Sequence, residues 1–168
     1  EWDVWTDETT NVINWPSLGS YNVNFTKYNI IYQGVFDGNH KTIRGLYRKN
    51  PGYDNQGGLI GYIGRSGALK NLTIEKSYVT ACAVFAGFNN GSVTNCTAGR
   101  LRTKYCGHGG AVFVYKNYGI MDDCVNTADV EWIDKQRENC FGIVDMNYGI
   151  VKNCVNRGAI NNTGGRVS

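Results

Sequence analysis

The stretch Asn117-Tyr118-Gly119-Ile120-Met121-Asp122-Asp123-Cys124-Val125-Asn126 returns thirty residues later as Asn147-Tyr148-Gly149-Ile150-Val151-Lys152-Asn153-Cys154-Val155-Asn156. Working outward from that pair, Gly67, Gly91, Gly119 and Gly149 serve as anchors of one internal repeat of 24 to 30 residues. Two positions after each anchor stands an apolar residue: Leu69, Val93, Met121, Val151. Four after comes Asn71, Asn95, Asp123 or Asn153, and five after comes Leu72, Cys96, Cys124 or Cys154. A further apolar position follows at Val79, Leu101, Val130 and Ile160. Upstream, Leu59-Ile60, Phe85-Ala86, Phe113-Val114 and Ile143-Val144 align, and Asn89, Asn117 and Asn147 each precede an anchor by two.

Self-similarity at such a period is the mark of a solenoid, in which one unit cannot bury its own apolar face and stacked copies can. The apolar segments are too short for helices and are separated by Gly or Asn, which tolerate the left-handed backbone of tight corners. The fold expected is all-β: a parallel β-helix, or β-solenoid, with short strands and Gly/Asn corners. Aligned Asn side chains can pass amide hydrogen bonds from coil to coil at the strand spacing of about 4.8 Å. Asp123 interrupts one such column and needs a neighbouring donor. A leucine-rich repeat is the competing fold. Leu69-x-x-Leu72-x-Ile74 fits its opening once, but Ala98, Asn126 and Asn156 replace the third apolar position afterwards.

Composition agrees with a ladder-rich chain. Of 168 residues, 22 are Gly and only 2 are Pro, and Pro is poorly tolerated inside a sheet. A hydrophobic share of 42% with 11 Tyr, 6 Phe and 4 Trp argues against disorder. The net charge of +3 gives no basic stripe for nucleic acid. With no run of 18 apolar residues, membrane insertion is not expected. Glu1-Trp2-Asp3-Val4-Trp5 lacks the pattern of a signal peptide, so the chain reads as a mature or excised fragment. One solenoid domain spanning 1–168 is expected, with N-terminal capping coils over 1–56 and four repeats over 57–168.

These residues resemble the GLUG-motif repeats of bacterial cell-surface proteins. The resemblance is carried by Gly58-Leu59-Ile60-Gly61-Tyr62, by Asn117-Tyr118-Gly119 with Asp123-Cys124-Val125-Asn126, and by the last copy from Asn147 to Gly158. The element from Gly34 to Tyr47 is similar to the segment that often precedes such repeats, and Trp15-Pro16-Ser17-Leu18-Gly19 to the turn before it. The resemblance implies a non-catalytic, extracellular adhesive or spacer region, secreted or at the bacterial cell surface. Some IgA metallopeptidases carry such repeats beside a catalytic domain, but no HExxH motif occurs here, and His40 and His108 are the two histidines.

Six cysteines in a secreted chain suggest disulfides. Here Cys96, Cys124 and Cys154 recur in register, with Cys82, Cys106 and Cys140 upstream, which reads as buried thiols stacked in columns. Cys82–Cys106 is the one bridge the spacing suggests. No paired-ligand spacing for zinc is present, and no cofactor is expected.

Two corners are longer than the repeat requires, from Arg100 to Gly109 and from Glu131 to Asn139. Insertions in a solenoid gather on one side, often the binding side. Arg100, Arg102, Lys104, Tyr105 and His108 of one coil are expected beside Trp132, Asp134, Lys135 and Arg137 of the next, a hot-spot composition. The partner expected is a host or microbial surface protein, or a glycan. Local packing of Trp132 and Tyr105 against the flank is the bland alternative.

A β-helix also invites a polysaccharide-degrading reading. Glycoside hydrolysis needs two carboxyl groups about 5–9.5 Å apart; Asp122-Asp123 and the set Asp129, Glu131, Asp134 are the candidates, against a ladder role for Asp123. Asp145 with Lys116 is too small a set for a lyase. Neither His40, in a turn-like segment, nor His108, in a Gly-rich one, has a catalytic motif around it. Tyr118 and Tyr148 are expected to stack on each other at a corner, where aromatic faces could also meet sugar. No Thr column suits ice. The sequons at Asn24, Asn71, Asn90, Asn95 and Asn161 read as composition, because Asn71 and Asn95 occupy ladder positions.

Overall fold

A computed structural model describes residues 15–19, 30–49, 57–80, 83–103, 110–127, 130–132 and 140–162. Within them every paired strand is parallel, and each pairs with its counterpart one repeat away, as a β-solenoid requires. The first face stacks β3 (Ile60–Ile63), β6 (Ala86–Asn89), β10 (Val114–Asn117) and β15 (Val144–Asn147). The second stacks β1 (Val35–Arg44), β4 (Ala68–Glu75), β7 (Ser92–Ala98), β11 (Ile120–Asp122) with β12 (Val125–Asn126), and β16 (Ile150–Lys152) with β17 (Val155–Asn156). The third stacks β2 (Tyr47–Lys49), β5 (Ser77–Thr80), β8 (Leu101–Thr103), β13 (Val130–Trp132) and β18 (Ile160–Asn162). A short pair, β9 (Gly110–Ala111) and β14 (Cys140–Phe141), leads back to the first face.

The anchor glycines mark the first corner, and the reason is close approach. A Cβ on Gly91, Gly119 or Gly149 would fall closer than 3.0 Å to the carbonyl oxygen of the anchor one coil below. The second face bends at the Asn column. Asn71, Asn95, Asp123 and Asn153 have φ of 54°, 50°, 53° and 53°, a conformation that Asn and Asp tolerate better than other side chains. His40 belongs to a bulge in β1, where Asn39 and His40 have φ of 47° and 56° and the register with β4 shifts.

Inside the coils, columns of like residues fill the core. Leu69, Val93 and Met121 are fully buried, as are Cys96 and Cys124, and Leu72 pairs with Cys96 across the sheet. Phe85 and Phe113 stack at 4.5 Å between ring centroids, and burying each such ring is worth about 1.5–3 kcal/mol. Cys96, Cys124 and Cys154 are free thiols. Cys140 lies opposite Gly110, so in the coil of Cys106 a glycine fills that register position; Cys82 and Cys106 lie outside the described residues.

Three amide ladders tie the coils together. In the buried one, Asn89 donates to Asn117 and Asn117 to Asn147, each at 2.8 Å. In the third face's approach, Asn126 donates to Asn156 at 2.7 Å. At the bend the sense reverses: Asn95 donates to Asn71 at 2.8 Å, and Asn71 to the Asp37 carboxylate at 3.0 Å. Where Asp123 replaces Asn, the ladder sidesteps, and Asn153 donates to Asp122 at 2.9 Å.

One alignment is corrected. Leu101, Val130 and Ile160 share a column, but Leu101 stands opposite Ser77 and Val79 opposite Thr103. Ser77 fits the buried slot because its hydroxyl accepts from the Leu46 N–H at 3.0 Å and donates to the Glu75 carbonyl at 2.9 Å.

Candidate interaction surface

Registers on either side of the long corners show where the extra residues enter. The passage from the third face back towards the first takes four residues in one coil, Val79 to Ala83. It takes eight in the next, Thr103 to Ala111, and nine in the one after, Trp132 to Phe141. One further residue enters between Asn126 and Val130, where the preceding coil needs only Ala98 to Leu101. These steps account for the growth of the repeat from 24 to 28 to 30 residues between anchors.

Both long corners leave and return in register. Arg102 stands opposite Glu131 and Thr103 opposite Trp132 at the start, and Gly110 opposite Cys140 at the end. Arg100 is exposed at the turn before β8. The backbone therefore brings Arg100 and Arg102 to the edge of one coil beside Glu131 of the next, whereas Trp132 continues the register position of Thr103 and of the fully buried Val79. Lys104, Tyr105, His108, Asp134, Lys135 and Arg137 lie outside the described residues, as does Asp129.

A second surface lies at the Gly corner. Tyr118 and Tyr148 stack at 4.9 Å with 13° between ring planes, and both are at least half exposed. Beside them Ile120 and Ile150 pair across the sheet and point outward, at 42% and 55% exposure. Four large apolar side chains thus form a strip across two coils. The tyrosine pairing was legible in the thirty-residue spacing. The isoleucines were missed, though the strand alternation carried the signal: Met121 and Val151 face the core, so their neighbours face out.

Two carboxylates, Asp122 and Asp37, are engaged by donors of neighbouring coils. Asp122 accepts from Asn153 and, at 3.1 Å, from Lys152, and these partners hold its pKa below the usual value. A general acid needs the opposite shift. Asp37 is held low in the same way, by the Asn39 N–H first, then Asn71 and Lys70. Lys116, considered with Asp145, sits 5.3 Å over the Tyr115 ring and 5.7 Å over the Phe88 ring. Burial raises the Cys154 thiol to about 11, and Cys124 is pushed up by its contact with Cys96 and by burial. Neither thiol is poised as a nucleophile. Among the described residues no group of three or more His, Cys, Asp or Glu could hold a metal ion, and no helix is long and apolar enough to cross a membrane.

The site and fold define a β-solenoid with insertions on one edge. Over 70 residues the chain is 40% identical to halomucin of Haloquadratum walsbyi, a match taking in 40% of this chain and 1% of halomucin. The chain thus corresponds to a very small part of the relative it matches. No family model and no solved structure matches it.

Proposed function

We propose that the chain is a non-catalytic binding or adhesion module of an extracellular, bacterial surface protein, contacting a host or microbial surface protein through its two extended corners. The observation that carries this reading is the shared register of the corners. Two insertions, in consecutive coils, depart from Thr103 and Trp132 and return at Gly110 and Cys140, side by side on a rod with many backbone bonds. Insertions confined to one edge build a surface without disturbing the ladder. The resemblance to GLUG-motif repeats supports a surface location, and so does similarity to a protein named as a mucin. The engagement of Asp122 as a ladder acceptor speaks against a hydrolytic role for the Asp122-Asp123 pair. A rod serving only as a spacer would need no such insertions. The exposed Tyr118–Tyr148 pair favours a second reading, contact with sugar rings.

The test is binding of the purified chain to an array of host and microbial surface proteins, with a glycan array in parallel. Replacing Arg102 and Arg137 by Ala should abolish protein binding and leave the melting temperature within about 2 °C, as surface substitutions do. Affinity unchanged in that variant overturns the corner assignment. Binding to glycans alone, lost in Y118A/Y148A, replaces it with the second reading.

A further inference from the structure

The Gly corner changes character partway along the rod. In register at the corner stand Tyr148, Tyr118 and Asn90, and two residues on in the same coils stand Ile150, Ile120 and Ser92. The coil below Asn90, towards the N-terminus, is short-chained as well, with Ser66 and Ala68 in these positions. Large side chains of two coils therefore overhang small ones of the next two, and the corner carries a step.

Tyr118 is the ceiling of that step. Its upper face stacks on Tyr148 at 4.9 Å, close to the strand spacing of about 4.8 Å, so the ring planes lie across the rod axis. With that face covered, the 50% exposure of Tyr118 comes from the ring edge and from the face turned to the coil of Asn90. A tyrosine in that coil would stack there as Tyr148 does above, but Asn90 is too short to do so. Its amide instead donates to the Tyr62 hydroxyl at 2.6 Å, which ties the side chain to the first face. Among the described residues the Asn90 carbonyl oxygen and the Ser92 hydroxyl have no hydrogen-bond partner.

An open aromatic face beside an amide oxygen and a hydroxyl suits a ligand that is itself two-sided. A pyranose ring presents C–H bonds on one face, which the negative face of an aromatic ring attracts, and hydroxyls around its rim. Rim hydroxyls can donate to Asn90 and both donate to and accept from Ser92. A purely apolar ligand would bury both polar groups unpaired, a cost that a sugar avoids.

We infer that the step beneath Tyr118 is a sugar-binding subsite, in which one pyranose ring stacks on the lower face of Tyr118 and hydrogen-bonds to Asn90 and Ser92. The subsite is separate from the two long corners. It rests on the glycan reading above, to which it gives a ring face and a polar floor.

The test is N90Y, which makes this coil like the one above it. Tyr118 shows that the corner backbone accepts a tyrosine, and Asn90 has no left-handed φ. The added ring stacks beneath Tyr118 and fills the step. Binding is read on an array of neutral and acidic oligosaccharides and then titrated with the one bound best. N90Y should weaken it by at least about tenfold, and Y118A by as much. S92A, which leaves both rings in place, should weaken it several-fold, and it decides the matter with Y118A if N90Y lowers the melting temperature. Binding undiminished or strengthened in N90Y overturns the subsite and leaves the glycan reading standing, because a site built on exposed tyrosine alone gains a ring. No oligosaccharide bound by the unsubstituted chain overturns both. Binding of tyrosine-rich peptides in place of glycans, lost in N90Y, gives the step to a protein side chain and overturns the sugar assignment.

Discussion

Replacing Asn117 by Ala isolates what a buried amide ladder is worth. Asn117 is fully buried, accepts from Asn89 and donates to Asn147, both at 2.8 Å. Each bond contributes about 1 kcal/mol net, and each buried partner stranded by the substitution costs a further 1–3 kcal/mol or so. The stranding is partial, because Asn89 keeps the Ile120 carbonyl at 3.1 Å and Asn147 keeps the Gly149 N–H at 3.3 Å. The total is therefore about 2–4 kcal/mol, or a melting temperature lower by roughly 5–15 °C for a chain of this size. N95A, in the exposed ladder, should cost about 1–2 kcal/mol, chiefly because Asn95 holds a left-handed φ of 50° that Ala disfavours. Urea unfolding followed by circular dichroism measures both. Asp at position 117 adds a check on direction. Its carboxylate would face the Asn147 oxygen and the Gly119 and Ile150 carbonyls, all acceptors. That arrangement raises its folded pKa, so N117D should be most stable below the unfolded value of about 3.9 and lose stability as pH rises through the folded one. If N117A and N95A are equally mild, or N117D gains stability with rising pH, the ladder does not hold the coils as argued.

The native chain should show the opposite acid behaviour at Asp37 and Asp122. Both have depressed folded pKa values, so the stability they contribute is present above about pH 4 and is lost as pH falls through the folded pKa; D37N/D122N should flatten that acid limb in pH-dependent melting curves. G119V should destabilise by at least about 2 kcal/mol, because its Cβ meets only backbone of Asn90 and Gly91, whereas G34A, facing the Tyr32 side chain, should be tolerated in the same denaturation assay. Mass-spectrometric mapping of native thiol labelling should find Cys96 and Cys124 protected. Cys154 should react slowly near neutral pH and faster as pH approaches its raised pKa of about 11.

The coil architecture was legible because its determinants are periodic and local. A glycine at each anchor reflects a carbonyl pressed against it from the neighbouring coil, and an Asn at each bend reflects a left-handed φ; both leave a residue-type signature. Apolar character alone was a weaker guide. Ser77 fills the column of Leu101 because its hydroxyl finds two backbone partners, so Val79 looked aligned when it was two residues away. Asp123 drew attention as the break in the Asn column, yet the compensating acceptor is Asp122, which the sequence presented only as half of a candidate carboxyl pair. The long corners were visible as surplus length, and strand register then fixed their entry and return points.

The central claim is that residues one repeat apart are direct backbone neighbours. Through-hydrogen-bond scalar couplings in the isotope-labelled protein test it most directly. Ile120 N–H should couple to the Gly91 carbonyl, Ile150 N–H to that of Gly119, and Val155 N–H to that of Cys124, each pair lying 2.9 Å apart. Couplings from these amides to antiparallel or sequence-local carbonyls would contradict the solenoid.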